Sequence, residues 1–277
     1  MSIQWYPGHM NKARRDIADA MPSIDVVIEV LDARLPHSSE NPMIAALRGA
    51  KPCLKILNKS DLADPEITQR WISSMESKPG TAALALSMKK PLDAKAVPKL
   101  CRKLGPTRGT LLKPLRVMIM GIPNAGKSTL INALTGRKTA KVADEPAVTK
   151  MQQHIELEKG LLLVDTPGIT WPKIENETSG YNLAATGAIG KNAMDSIEVA
   201  KFVANYLIVN YPELLRERYG FDALPQDGTE LIEAIGRRRG CLKVGCAVDM
   251  EKSAEILLNE FRSGKIGRIS LEKPEAH

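Results

Sequence analysis

The 277-residue sequence predicts an α/β domain, a six-stranded sheet flanked by helices, followed by a small all-helical domain. Three observations carry that expectation. Six short apolar runs lie before residue 166, each bounded by turn or motif residues in the manner of buried strands. A glycine-rich phosphate loop, Gly121-Ile122-Pro123-Asn124-Ala125-Gly126-Lys127-Ser128, follows one of those runs and opens a helix. From about Gly180 onward the pattern is helical only. The boundary falls after residue 175, giving a first domain over 1–175, with a basic arm over 1–22, and a second over 176–277.

The elements follow in order. Residues 10–21 place Met10, Ala13, Ile17 and Ala20 at helical spacing, with Lys12, Arg14 and Arg15 on the other faces, and Pro22 ends the run. Strands are expected over 26–31, 53–57, 82–86 and 115–120. The second delivers Asn58, the third ends at Ser87 and the fourth runs into the phosphate loop. The loop helix is expected over 128–135, an alternating edge strand over 155–158, and a buried strand over 161–164 ending at Asp165. All six strands are expected to send functional loops to one end, where open α/β sheets bind ligands. In the second domain Asp195, Asp227 and Asp249 read as helix caps, and Pro212 as a first-turn proline.

Composition narrows the function classes. Hydrophobic content of 43% and charged content of 26% are ordinary for a globular chain. There is no run of about eighteen apolar residues and no basic-then-apolar leader, so no membrane span or signal peptide is expected and the cytoplasm is the expected location. Cys53, Cys101, Cys241 and Cys246 lack metal-ligand spacing and read as free thiols, buried by expectation. The net charge of +7 is unevenly placed: residues 1–175 hold 26 Lys/Arg against 17 Asp/Glu, and 176–277 hold 13 against 15. Between Lys89 and Arg116 the only acid is Asp93. Such a stretch suits a polyanion such as RNA, and equally a solvated helix face followed by a basic connector.

The motifs define the chemistry. In a phosphate loop, glycines let successive backbone N–H groups face the phosphates, lysine neutralises the β- and γ-phosphates, and a hydroxyl binds Mg²⁺. Those roles fall to Gly121, Ala125 and Gly126 along the loop, to Lys127, and to Ser128 with Thr129 behind it. Asp165, at a strand end, can hold Mg²⁺ through water, and Gly168 can offer its N–H to the γ-phosphate. In Asn58-Lys59-Ser60-Asp61 a carboxylate can accept both N1–H and the 2-amino group of guanine, and adenine offers neither donor. Ser87 occupies the second base-contact loop and, with Met88 after it, is expected to act through its backbone. Thr149 is the candidate first-switch residue, closing on Mg²⁺ and the γ-phosphate. The guanine-reading tetrad precedes both phosphate motifs, whereas in the ordinary order it follows them. The first domain therefore reads as a circularly permuted P-loop GTPase domain.

With these residues in hand, the chain resembles the bacterial ribosome biogenesis GTPase A (RbgA/YlqF) family of circularly permuted Ras-like GTPases over nearly its whole length. The resemblance rests on Trp5-Tyr6-Pro7-Gly8-His9-Met10, Asp32-Ala33-Arg34-Leu35-Pro36, the permuted nucleotide motifs, the stretch Asp165–Pro172, and Leu183-Ala184-Ala185-Thr186-Gly187-Ala188-Ile189. Ala147 departs from the family's usual glycine. The resemblance implies a GTP-hydrolysing switch in late assembly of the large (50S) ribosomal subunit, which binds rRNA with GTP and is released after hydrolysis. The alternative is a GTP-dependent RNA-binding module whose hydrolysis is incidental, kept open by Ile169 where many Ras-like enzymes carry a water-orienting glutamine. The resemblance offers His9 as the group that orients water and Asn124 as a K⁺ ligand beside the phosphates. It makes the helical domain, with Arg237-Arg238-Arg239, the RNA-facing module. Catalytic candidates are thus His9, Lys127, Thr149 and Gly168. Mg²⁺ falls to Ser128, Thr149 and Asp165, and the expected partners are GTP or GDP and the large subunit, with a monomer as the default.

Overall fold

The computed structural model describes residues 3–4, 8–89, 91–106, 110, 112–136, 153–166, 168, 173–174, 176–190 and 194–275. In chain order the first half comprises β1 (Ile3–Gln4), α1 (Gly8–Ala20), β2 (Val26–Asp32), α2 (Pro36–Ser39), α3 (Pro42–Arg48), β3 (Cys53–Asn58), α4 (Pro65–Glu76), β4 (Thr81–Ala85) and α5 (Ala96–Leu104). It continues with β5 (Leu115–Gly121), α6 (Lys127–Thr135), β6 (Gln153–Glu158), β7 (Leu161–Asp165) and β8 (Lys173–Ile174). The helical region holds α7 (Glu177–Thr186), α8 (Ser196–Asn210), α9 (Pro212–Tyr219), α10 (Gly228–Arg238) and α11 (Met250–Ser263).

The central sheet has the order β4-β3-β2-β5-β7-β6. β2, β3, β4, β5 and β7 are parallel, and β6 pairs with β7 antiparallel. Every residue of β2 and β3 is buried, because helices cover both faces of a parallel sheet. On one face Val26, Ile28, Val30, Val117, Ile119 and Leu163 pack into a core that continues through α6 into the helical region. On the other, Val27, Met118, Met120 and Val164 meet Ala13 and Ile17 of α1 and Ile44 of α3. Alternate residues of one strand thus serve two cores, as the period of two demands.

The two sequence-contiguous halves of the sheet meet at the pairing of β2 with β5. This is where the chain, having run outward to β4, returns to the middle, and the ends of β2, β3 and β5 open onto a common crevice. One expectation needs correction. Five strands point their carboxyl ends at this crevice, but β6 runs the other way, so its start at Gln153, opposite Asp165, lies on that side. An antiparallel edge strand must present its beginning where its neighbour presents its end.

Asp195, Asp227 and Asp249 cap α8, α10 and α11 through bonds to backbone N–H groups, and Pro212 opens α9. Each such cap contributes about 1 kcal/mol. Beyond α11 the tail runs back over the α/β half, burying Ile266, Ile269 and Leu271. Ile269 donates to Leu62 O at 2.9 Å and Leu271 to Arg34 O at 2.7 Å.

Candidate functional site

The site is assembled from two loops that the sheet brings face to face. β3 ends at Asn58, whose Nδ2 donates to Ala125 O of the phosphate loop at 2.7 Å. Gly126 shows why that loop needs glycine. Its φ is +94°, and a Cβ there would stand 2.0 Å from Asn58 Nδ2. Gly121 is equally constrained, since a Cβ would lie 2.6 Å from Val30 O of the neighbouring strand.

Lys59 and Asn124 are two of the non-glycine residues with positive φ, at +61° and +58°. Backbone held in this sparsely populated region collects at ligand sites, where surrounding contacts impose it. Lys59 Nζ lies 3.0 Å from Asp32 Oδ2. Arg34 grips the same carboxylate through Nε at 2.9 Å and Nη2 at 2.7 Å. Burial opposes ionisation of Asp32, but the two cations outweigh it and hold its carboxyl below the usual carboxylate range.

Asp61 is also engaged. Ser87 Oγ donates to its Oδ1 at 2.8 Å, and Lys89 Nζ lies 2.9 Å from its Oδ2. Partial burial pushes its pKa up, and these two contacts more than reverse that. Ser87, expected to act through its backbone, here uses its side chain to orient Asp61.

The phosphate side is different. Lys127 is buried at the start of α6, and burial pushes its pKa down despite Asp165 nearby. Asp165 is 1% exposed, and neither carboxylate oxygen has a hydrogen-bond partner among the described residues. Burial pushes its pKa up, against the charge of Lys127. Thr166 Oγ1 donates to Ile119 O at 2.8 Å, and Gly168 packs so closely on the loop that a Cβ would meet Pro123 at 3.3 Å. A buried, unpartnered carboxylate beside a buried lysine, with the Ser128 hydroxyl next in the chain after that lysine, is a set of groups that fits a hydrated Mg²⁺ with phosphate oxygens. No cluster of three or more His, Cys, Asp or Glu capable of holding a metal occurs among the described residues.

Asn124 reaches out of the site: its Nδ2 donates to Gly187 O, at the end of α7, at 2.8 Å. Arg262 of α11 bonds the neighbouring carbonyls, Ala185 O at 2.7 Å and Ala184 O at 2.8 Å. The phosphate loop is therefore tied by one amide to the helical region. Thr149 lies outside the described residues, as does the side chain of His9, whose backbone belongs to α1.

Sequence reading gave no role to Asp32 and Arg34 beyond a shared motif, and missed Lys89 as a partner of Asp61. An acid and an arginine directly after an apolar strand were the available signal. Arg237-Arg238-Arg239, read as part of an RNA-facing module, is exposed, and each side chain also has a partner within the chain. Arg237 pairs with Glu233 at 2.6 Å, Arg239 with Glu260 at 3.0 Å, and the Arg238 guanidinium lies 4.5 Å from the Phe221 ring centroid.

Comparison with known proteins agrees with this geometry. The model of the 50S ribosome-binding GTPase family matches residues 116–212, which begin on β5 because the permutation leaves the base-reading half ahead of it. Ribosome biogenesis GTPase A of Priestia megaterium is 45% identical over 282 residues, covering 99% of this chain and 98% of that protein. The protein of the same name from Bacillus cereus is 43% identical, covering 99% and 95%. The crystal structure of GNP-bound YlqF from T. maritima superposes with a TM-score of 0.68 at 28% identity, covering 96% of this chain and all of that one. Among the described residues no helix is long and apolar enough to cross a membrane.

Proposed function

The chain belongs to the ribosome biogenesis GTPase A family, and from that premise we propose that this GTPase is a switch in late assembly of the large (50S) ribosomal subunit. In this reading it docks on pre-subunit rRNA with GTP bound and leaves after hydrolysis, acting as a cytoplasmic monomer. The observation that carries the reading is the bond from Asn124 to Gly187 O, which gives the phosphate loop a direct mechanical link to the helical domain.

The nucleotide's base is read by Asp61, with Asn58 and Lys59 fixing the loop that carries it. Its phosphates enter the loop from Gly121 to Gly126, with Thr129 behind, and Lys127 meets the β- and γ-phosphates. Ser128, Asp165 and Thr149 would hold Mg²⁺, which when bound would supply charge neutralisation to the phosphates. The Asp165 oxygens without partners are what such a cation requires. Gly168 offers its backbone N–H to the γ-phosphate, and His9 orients the attacking water through a ring nitrogen. Asn124 would ligate K⁺ beside the phosphates, as the family resemblance implies. Loss of γ-phosphate changes what the loop and Gly168 hold, and the Asn124 bond passes that change to α7.

Lys12, Arg14 and Arg15, all exposed on α1, and the basic stretch from Lys89 to Arg116 supply the phosphate contacts to rRNA. The test is the GTP hydrolysis rate in K⁺ and in Na⁺, with and without large subunits. The reading expects stimulation by subunits that requires K⁺. GTP binding with no stimulated turnover in either salt would overturn it.

A further inference from the structure

The loop that carries Asp61 is held from behind by the far end of the chain. Besides the side-chain contacts of Lys59 and Asp61 described above, Leu62 N donates to Lys59 O at 2.9 Å, Ser60 N to Leu86 O at 3.0 Å and Thr68 N to Asp64 O at 2.9 Å. Further backbone groups of residues 59–64 are engaged by the tail after α11. Arg268 Nη2 donates to Ser60 O at 3.1 Å and its Nε to Ala63 O at 3.0 Å. Ile269 N donates to Leu62 O at 2.9 Å, and Asp64 N donates to Ser270 Oγ at 3.1 Å. Backbone groups on both sides of Asp61 are thus engaged by three consecutive tail residues.

The tail is itself anchored at two places. Ser270 is fully buried, and its carbonyl accepts from Tyr206 Oη at 3.0 Å and Tyr211 Oη at 3.2 Å, both in the helical region. Two residues on, the Glu272 carboxylate accepts from His37 N at 2.7 Å and from Asn182 Nδ2 at 2.9 Å, and also bonds Ser38 Oγ. A strap fixed at both ends is stiff enough to set the position of the loop it crosses.

We propose that this carboxyl-terminal strap is the positioning element of the guanine-reading loop, with Arg268 and Ser270 as the residues that set guanine specificity. The inference rests on Asp61 as base reader. A carboxylate accepting two hydrogen bonds from guanine loses both if its backbone shifts by about 1 Å, since such bonds weaken steeply outside their geometry. Arg268 and Ser270 touch no nucleotide and act only through residues 60–64. Because the strap is anchored on α8, base occupancy and placement of the helical domain are coupled, and the coupling is reciprocal.

The test compares affinities for GDP and for inosine diphosphate, which lacks the 2-amino group, in full-length R268A, S270A and the double variant. The double variant is expected to bind GDP about tenfold more weakly, the effect of losing hydrogen bonds of this kind. Inosine diphosphate, already deprived of one of the two contacts, is expected to change about threefold or less, so the preference for GDP narrows. KM for GTP rises while kcat at saturation stays level. R268K restores part of the preference, because an ammonium reaches one of the two carbonyls. Equal weakening of both diphosphates, or no weakening, would overturn the proposal by reducing the strap to a stabilising element. If the double variant does not fold by circular dichroism, the same ratio in S270A decides. D61N run alongside separates the two levels. Loss of GDP preference in D61N with none in the strap variants defeats the strap alone, whereas preference retained in D61N removes the base assignment and the proposal with it.

Discussion

The base-reading half and the phosphate-holding half of the site are built on opposite electrostatic plans. Around β2, β3 and β4, Asp32 is gripped by Arg34 and Lys59, Asp61 by Ser87 and Lys89, and Asn58 by Ala125. Around β5 and β7, Asp165 is buried with neither oxygen bonded among the described residues, and Lys127 is buried beside it. In one half both acids are held by cations or hydroxyls, although Arg34 Nη1 and Asn58 Oδ1 are buried without partners, while the other holds a buried carboxylate with neither oxygen bonded among the described residues. Buried unpaired charge costs stability. Under the proposed reading, guanine would meet a preformed surface, whereas the phosphates and their cation would relieve a cost the protein bears without them.

The comparison can be broken by substitutions on either side. The largest effect is expected from Asp32→Asn, which strands the buried Arg34 guanidinium and should cost about 3–5 kcal/mol in urea unfolding. Its acid limb should also flatten. The depressed carboxyl pKa of Asp32 contributes stability that is present above the unfolded value, about 3.9, and lost as pH falls through the folded one, so the asparagine variant lacks that dependence. A loss below about 1 kcal/mol would mean the cluster is not a preformed support.

Next comes Lys127→Met on the phosphate side. Hydrolysis should fall by about 10²–10³-fold, as on removing other charge-stabilising groups. The nucleotide-free protein should melt no lower than the parent, because a buried charge has gone. A lower melting temperature would contradict the two-plan account.

Asp165→Asn should do the same more mildly, raising nucleotide-free stability by about 1 kcal/mol. The sign follows from its raised carboxyl pKa: ionisation above the unfolded pKa costs the fold stability, and that cost disappears with the charge. Stabilisation by GDP with Mg²⁺, measured as a melting shift, should shrink in parallel. The smallest effect belongs to Lys89→Ala, about two- to threefold in GDP affinity, because Lys89 is 73% exposed and solvent screens its pairing with Asp61.

Much of this was legible beforehand, and for identifiable reasons. The six strands of the central sheet fall where the apolar runs place them, within two residues at each end, because strands covered on both faces must be continuously apolar. The phosphate loop and the tetrad were readable because their chemistry fixes residue type and spacing together. Helices α2, α3 and α4 were not anticipated, and α5 only as a solvated helix face within the basic stretch. Pro98 within α5 reads as a breaker although it lies in the first turn, where its missing N–H costs little. The strap was invisible for a different reason. Arg268, Ser270 and Glu272 form no spacing pattern, and the α/β-half groups they hold, at Ala63, Asp64 and His37, lie over 200 residues away in sequence, so only the fold brings them together.

The pairing of β2 with β5 also has a consequence during synthesis. In an emerging chain β2, buried along its whole length in the finished sheet, is complete at Asp32, but its neighbour does not begin until Leu115. At ~5–20 residues per second a ribosome takes several seconds to supply it. Over that interval β3 and β4 can zip onto one side of β2 while its other edge stays bare, apolar and open to any extended segment nearby. A nascent chain stalled between residues 90 and 114 should therefore be bound by chaperones more strongly than one stalled after the β5 segment has cleared the exit tunnel.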